Sequence, residues 1–341
     1  MAVGSASKVA RWRRCRHRVW YGDIMELQRT VKSIAPVRGT ILHECLNNFY
    51  TGKDWADPIK DLKMDLENVF DEERAEWGSM PKELYRIMRG YLMAYKHIDH
   101  SIKTLATEVH FEIPLGERHT YQGYIDWIFE DERGVWVADH KTVKTLPKPQ
   151  DLYMDLQTLM YYEAARTDPK LKALIGDRPL AGVVFNHIRT KAPREPQVLK
   201  SGGISKAACD TDVATYFEAV KRAGLDIHDY EDMIEKLKGN VFFRRSKIPV
   251  SERTIQILKD EIRTTLSEVD YYTKLAKTES GEVDPNKKVL FPRNMMKQRC
   301  DWDCEFRDVC YGELAGMKID NLLKDNYEIR GGRTDDSEID E

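Results

Sequence analysis

At 341 residues, 41% of them hydrophobic and 33% charged, the chain can bury a sizeable core in one large domain or two smaller ones, and its composition excludes a disordered polymer. No apolar run approaches a membrane span, and the arginine-rich N-terminus lacks the apolar segment of a signal peptide, so a cytoplasmic location without membrane attachment is expected. A net charge of −3 excludes overall attraction to nucleic acid and leaves only local basic patches for such binding.

In chain order, residues 1–10 read as a loose end. Arg11 to Arg18 (RWRRCRHR) is a basic burst with Cys15 and Trp12, a solvated or phosphate-facing segment by composition. Apolar Ile41, Leu42, Leu46 and Phe49 predict a helix from Arg38 to Tyr50, followed by helices over Asp57–Glu76 and Lys82–Ser101, the latter just after Pro81. A strand is predicted from Thr107 to Pro114, and Tyr121–Lys141 reads as a hairpin turning at Asp131-Glu132-Arg133-Gly134. After Pro147 and Pro149 come a helix over Asp151–Arg166 and a strand over Ala181–Arg189. Thr190–Lys206 is loop, Thr211–Arg222 and Glu252–Leu275 are helices, and Asn240–Pro249 is strand-like. The tail from Asp325 is polar, acidic and expected to be disordered. Helix, three strands, helix and strand make a compact α/β unit with a mixed sheet. The predicted division is 1–106, 107–250, 251–324 and 325–341.

The hairpin carries the chemistry. A loop of two or four residues centred between Glu132 and Arg133 sets Asp126 opposite Asp139, where like charges repel; a three-residue loop with a bulge at Gly134 would put them on opposite faces. Two facing carboxylates call for a divalent cation, and Lys141 lies two residues further along the same face. Asp-x-Lys alone is a weak string, since Asp61-Leu62-Lys63 and Asp168-Pro169-Lys170 read as ordinary solvated charge. His43 is either a boundary histidine on an apolar helix or a neutral imidazole completing a metal shell. The side chain of His140 faces away, leaving its backbone carbonyl as a candidate ligand. Glu108 is a solvated strand-edge residue or a further ligand. Gln157 and Tyr161, on one helical stripe with Tyr153, either pack or hold Lys141 or a phosphate oxygen. Arg189, Arg244, Arg245 and Lys247 are solvated charges or phosphate contacts.

Cys300, Cys304 and Cys310 crowd together as in a zinc or iron–sulfur site, and spacing does not choose between the two. A fourth ligand must come from Cys15, Cys45 or Cys209. Cys45 and Cys209 read more naturally as buried thiols.

Together, Gly39-Thr-Ile-Leu-His43, Gly123-Tyr-Ile-Asp126, Asp139-His-Lys141 and Gln157-Thr-Leu-Met-Tyr161, with cysteines at both ends, resemble the RecB-type branch of the PD-(D/E)XK nuclease superfamily. The resemblance is to its CRISPR-associated and bacteriophage exonucleases with a four-cysteine iron–sulfur cluster, and it spans about residues 15 to 310. It implies a restriction-endonuclease-like core, a mixed sheet flanked by helices, with helical additions and a C-terminal cysteine cluster. It also implies Mg²⁺- or Mn²⁺-dependent cleavage of DNA phosphodiesters, with His43, Asp126 and Asp139 as metal ligands and Lys141 catalytic. Gln157 and Tyr161 carry over as the active-site helix motif, and Cys15, Cys300, Cys304 and Cys310 as ligands of a [4Fe–4S] cluster, zinc being the alternative. Two departures are the three-residue spacing of the middle cysteines, where two is commoner, and aspartate at 139, where many members have glutamate.

The expected activity is therefore an exonuclease on single-stranded DNA or DNA ends, in recombination, repair or CRISPR-related processing. A helicase, recombinase or CRISPR integrase is the kind of partner implied. The competing readings are a structure-selective endonuclease and a non-catalytic DNA-binding adaptor subunit.

Overall fold

The computed structural model describes residues 2–30, 34–68, 77–295, 300 and 304–330. In chain order the elements are β1 (Ala2–Gly4), α1 (Ala6–Arg14), α2 (Arg16–Val19), a π-helical turn (Trp20–Ile24), β2 (Leu27–Arg29), α3 (Ile34–Tyr50), α4 (Asp57–Glu67) and α5 (Met80–Asp99). Then come β3 (Lys103–Leu115), β4 (His119–Asp131), β5 (Gly134–Val143), a 3₁₀ turn (Pro149–Met154), α6 (Leu156–Thr167), α7 (Pro169–Ile175) and β6 (Leu180–Arg189). The remainder is α8 (Val213–Arg222), α9 (Glu231–Leu237), β7 (Phe243–Ile248), α10 (Glu252–Leu275), α11 (Arg307–Leu314), α12 (Asp320–Asn326) and β8 (Tyr327–Ile329).

These form two compact units that interleave along the chain, one of Met1–Ser33, Pro114–Gln122 and Gln256–Glu341, the other of Ile34–Ile113 and Gly123–Ile255. The sequence reading divides the chain consecutively instead. It cannot see that the first thirty residues condense with the last eighty, because no local periodicity reports so distant a pairing.

The second unit is the mixed α/β body expected. Its strands run in the order β3-β4-β5-β6-β7. The β4–β5 and β6–β7 pairs are antiparallel and β5–β6 is parallel. A parallel pair needs a crossover, and α6 and α7 supply it. Helix α3 presents Ile41, Leu42, Cys45 and Leu46 to Ile59, Leu62 and Leu66 of α4 and to Leu84, Ile87, Met88 and Tyr91 of α5. Those spacings of three, four and seven make one apolar stripe per helix, and each fully buried leucine contributes about 1.5–3 kcal/mol. His43 sits just off the α3 stripe. On one sheet face Trp127, Phe129, Trp136, Ala138 and Val184 cluster, joined by Tyr50.

The hairpin has the two-residue turn. Asp131 pairs with Gly134 and Trp127 with Ala138, where the ladder ends; the next two residues, Asp126 and Asp139, stay close enough to repel. Asp131 Oδ1 accepts from the Arg133 N–H and the Trp136 indole, each at 2.9 Å, pinning the turn. Gly134 has φ +125°, and a Cβ there would lie 2.3 Å from the Pro179 carbonyl oxygen, so no other residue fits.

Three sequence expectations are corrected. Residues 2–10 are not a loose end: Ala2–Gly4 form β1, Ser5 caps α1 by accepting from the Lys8 N–H, and Val9 is buried. The helix drawn from Asp151 begins at Leu156, because Pro149–Met154 winds as a 3₁₀ turn and Asp155 takes the N-cap, accepting from the Thr158 N–H at 2.9 Å. The chain from Asp325 continues as the end of α12 and as β8, which pairs antiparallel with β2. The expected disorder of 331–341 lies outside the described residues, as does the 69–76 part of the helix predicted over 57–76. No described helix is long and apolar enough to cross a membrane.

In the first unit, β1 lies parallel to His119–Tyr121. Trp12, Trp20, Tyr21, Val269, Phe291, Phe306 and Tyr327 form its core.

Candidate functional site

Helix α3 and strands β3 and β4 bring three side chains to one place. His43 Nδ1 lies 3.6 Å from Asp126 Oδ2, and His43, Glu108 and Asp126 each offer a ligand atom, all within 4.8 Å of one another. They adjoin a cleft of about 390 Å³ lined by Gly39, Thr40, His43, Glu44, Asn47 and Glu108. Glu108 holds φ +49°, a left-handed conformation that costs a residue with a Cβ on the order of 1–3 kcal/mol. Such strain in mid-strand, at a residue of the cluster, is where function is expected to store it.

Behind this trio the side chains close a ring. Lys141 Nζ lies 2.7 Å from Asp139 Oδ2 and donates to Gln157 Oε1 at 3.0 Å. Gln157 Nε2 donates to the Tyr161 hydroxyl at 2.8 Å, and that hydroxyl donates to Asp139 Oδ1 at 3.4 Å. Residues 157 and 161 are one helical turn apart on α6, which is why both reach the same lysine–aspartate pair. Asp126 is held differently: its Oδ2 accepts the His140 backbone N–H at 2.6 Å.

Charge crowding sets the proton affinities. Burial, then Asp139, push Asp126 up to about 8 against the opposing His140 amide. Glu108 reaches solvent yet is raised to about 7, by desolvation and then by Asp139 and Glu44. Asp139 is raised by burial, with Lys141 opposing. Burial alone would favour a neutral Lys141, but Asp139 and Asp155, the latter 3.6 Å away, hold it protonated. His43 is lowered by burial, so its imidazole is neutral, and its ring faces the backbone carbonyl of His140.

A neutral imidazole and adjoining carboxylates that keep protons for want of positive charge are a donor set suited to a hard or borderline divalent cation. His43, Glu108 and Asp126 would hold it, with Asp139 and the His140 carbonyl beside them. A pH dependence follows. Because the folded pKa values of Asp126 and Glu108 lie above the unfolded ones, the folded protein binds more protons between about pH 4 and 8, and its metal-free stability falls as pH rises through that window. A cation displaces those protons, so its affinity should rise by up to about tenfold per pH unit for each proton lost. Thermal unfolding with and without Mn²⁺ should therefore show a larger upward shift of the midpoint at pH 8 than at pH 6. Equal shifts at the two pH values would contradict this.

The predicted site residues His43, Asp126, Asp139, Lys141, Gln157 and Tyr161 are all brought together. Asp139 is not in the mutual-reach trio of described residues; Lys141 and Tyr161 engage it, and Glu108 stands in the trio instead. The His140 ring takes no place among the candidate ligands: its Nδ1 meets Asn186 Nδ2 at 2.8 Å, and it packs edge-on against the His43 ring at 5.7 Å. Asp155 escaped the sequence reading because the helix had been started four residues before it.

The basic segments do not offer free charge. Arg11, Arg13, Arg16 and Arg18 pair with Asp23, Glu261, Glu268 and Glu305, and the Trp12 indole donates to Glu268. A buried tryptophan cannot lie against a nucleic acid. Arg189 pairs with Asp210, Arg245 with Asp99, and Lys247 with Asp131, while Arg244 donates to the Pro147 carbonyl. These side chains stitch the fold. Arg245 is the deepest of them, bonded also to the hydroxyls of Tyr50 and Tyr91.

In the first unit, Cys15, Cys300, Cys304 and Cys310 line one cavity of about 160 Å³. Cys15 sits at the junction of α1 and α2 and Cys310 on α11. Cys310 Sγ accepts from Arg293 Nε at 3.0 Å, and Cys15 Sγ from the Asn294 N–H at 3.5 Å. Of the other candidates, Cys45 is buried in the α3 core, its thiol pushed up to about 12 by burial, and Cys209 does not line this cavity.

The family model of the PD-(D/E)XK nuclease superfamily matches residues 4–311. Among solved structures, the crystal structure of SSO0001 aligns over 91% of this chain and 86% of its own at 11% identity and TM-score 0.31. A protein of Eubacterium rectale provisionally named an exonuclease aligns over 74% of this chain and 86% of its own, at 15% identity and TM-score 0.32. No curated protein matches the sequence.

Proposed function

The chain belongs to the PD-(D/E)XK nuclease superfamily, and we propose that within it the protein is a Mg²⁺- or Mn²⁺-dependent exonuclease on single-stranded DNA or DNA ends. The observation that carries this reading is the closed ring of Lys141, Gln157, Tyr161 and Asp139 set beside His43, Glu108 and Asp126. A fold that needed only stability would not crowd three acids that repel one another. When bound, the cation would supply Lewis acidity toward the phosphate and lower the pKa of a water.

The chain's own residues do the rest. His43, Asp126, Asp139 and Glu108, with the His140 carbonyl, set where the cation lies. Lys141, kept charged by its neighbours and fixed by Gln157, offers an N–H to a water or to a phosphate oxygen as negative charge grows there. Tyr161 holds Gln157 and Asp139 in register. In the first unit, Cys15, Cys300, Cys304 and Cys310 would hold a [4Fe–4S] cluster, supported by their shared cavity.

The test is a digestion by the purified full chain with Mn²⁺, using linear single strands labelled at one terminus or the other and a circular single strand. Short products released from one end, a spared circle and complete inhibition by chelator are expected. Cutting of the circle would make the enzyme an endonuclease, and absence of metal-dependent cleavage of any DNA would overturn the proposal.

A further inference from the structure

Beside the acidic cluster, the antiparallel pair β3–β4 carries an aromatic step that the chemistry above does not use. The rings of His110 and Tyr124 lie 4.9 Å apart at 56°, and Tyr124 is 51% exposed although β4 has a partner on each side. Contacts across the two strands follow one register. Glu108 meets Asp126, His110 meets Tyr124, and the Phe111 ring would lie 3.1 Å from a Cβ on Gly123. The step is thus two residues along the strands from the ligand cluster, about 7 Å, or roughly the reach of one extended nucleotide. Phe111 is buried against Tyr161 of α6, so β3 and β4 commit one aromatic ring to the interior and leave two outside.

We propose that His110 and Tyr124 form a stacking subsite for the nucleobase of the nucleotide next to the scissile phosphate. This rests on the nuclease reading above and narrows its substrate: only an unpaired base can lie flat on the step, so the site takes single-stranded or frayed ends. Stacking uses the π-face common to all bases, so it grips without reading sequence. Most of the basic residues first considered for strand binding are committed to ion pairs, and Arg244 to a backbone carbonyl, so apolar contact takes over part of that work. An ordinary cross-strand aromatic pair would stabilise the sheet, but it would leave nucleic-acid binding indifferent to the rings.

The full chain carrying Asp139→Asn, in Ca²⁺, would be titrated with short single strands holding 2-aminopurine at successive positions. Binding should quench the fluorophore at one position. Adding His110→Ala and Tyr124→Ala should abolish that quench and raise Kd about ten- to a hundred-fold. Tyr124→Trp should keep both, which guards against a fold defect in the double variant. Unchanged quench and affinity in the alanine variant would overturn the stacking subsite while leaving the nuclease reading intact. If the parent binds no oligonucleotide, the nuclease reading falls and the subsite with it.

Discussion

Asp126→Asn should leave an enzyme with less than about a thousandth of its metal-dependent activity and a more stable fold. The loss follows from removing a charged donor from the cation's shell. The gain follows from electrostatics: Asp126 is buried against Asp139 and keeps its proton to about pH 8, so at that pH folding competes with the ordinary ionisation of the unfolded side chain. Asparagine still accepts the His140 amide and carries no charge. Denaturant titrations with chelator present should find the variant more stable by on the order of 1–3 kcal/mol at pH 8, and equal to the parent at about pH 2.5, below both pKa values. Lys141→Ala should lose comparable activity without that gain, since it takes away the counter-charge of Asp139. A variant at 126 that is inactive and also less stable at pH 8 would mean that the carboxylate is a structural hydrogen-bond acceptor and no repelled ligand.

The second large effect belongs to the cysteines. For the cluster proposed at Cys15, Cys300, Cys304 and Cys310, Cys15→Ser should deplete the metal and destabilise the first unit by about 5 kcal/mol, the order expected when a link closing nearly the whole chain is cut. The broad absorbance at about 400 nm expected for iron–thiolate charge transfer should vanish, whereas Cys209→Ser should keep both colour and stability. Colourless, zinc-containing parent protein from anaerobic purification would exclude iron as the native metal.

Much of this was legible because it is local. The hairpin and its turn could be placed from the charges between its strands, although the choice between two registers came only with the pairing of Asp131 and Gly134, and helix Glu252–Leu275 was bounded by its own apolar period. His43, Asp126, Asp139, Lys141, Gln157 and Tyr161 could be named because each sits on an element with a clear pattern. What stayed hidden depends on distant partners. Helix α1 shows only Val9 and Trp12 as apolar anchors, and its place depends on distant partners: Glu268 and Thr265 of α10 receive Trp12 and Arg13, and Trp12 packs with Val269 and Phe291. Glu108 stays undecided between an edge glutamate and a further ligand until its backbone is seen in a conformation that no sequence pattern encodes. Asp155 looks like a helix-interior charge unless the preceding six residues are known to wind more tightly.

One main-chain amide, that of His140, clasps Asp126 from the neighbouring strand. The two residues at the far tip of the hairpin, Glu132 and Arg133, therefore act as a gauge for the reactive end. A single residue inserted there would hand Asp126 a different strand neighbour and send one acid to the wrong side of the sheet, silencing the enzyme with every reactive side chain still in the sequence.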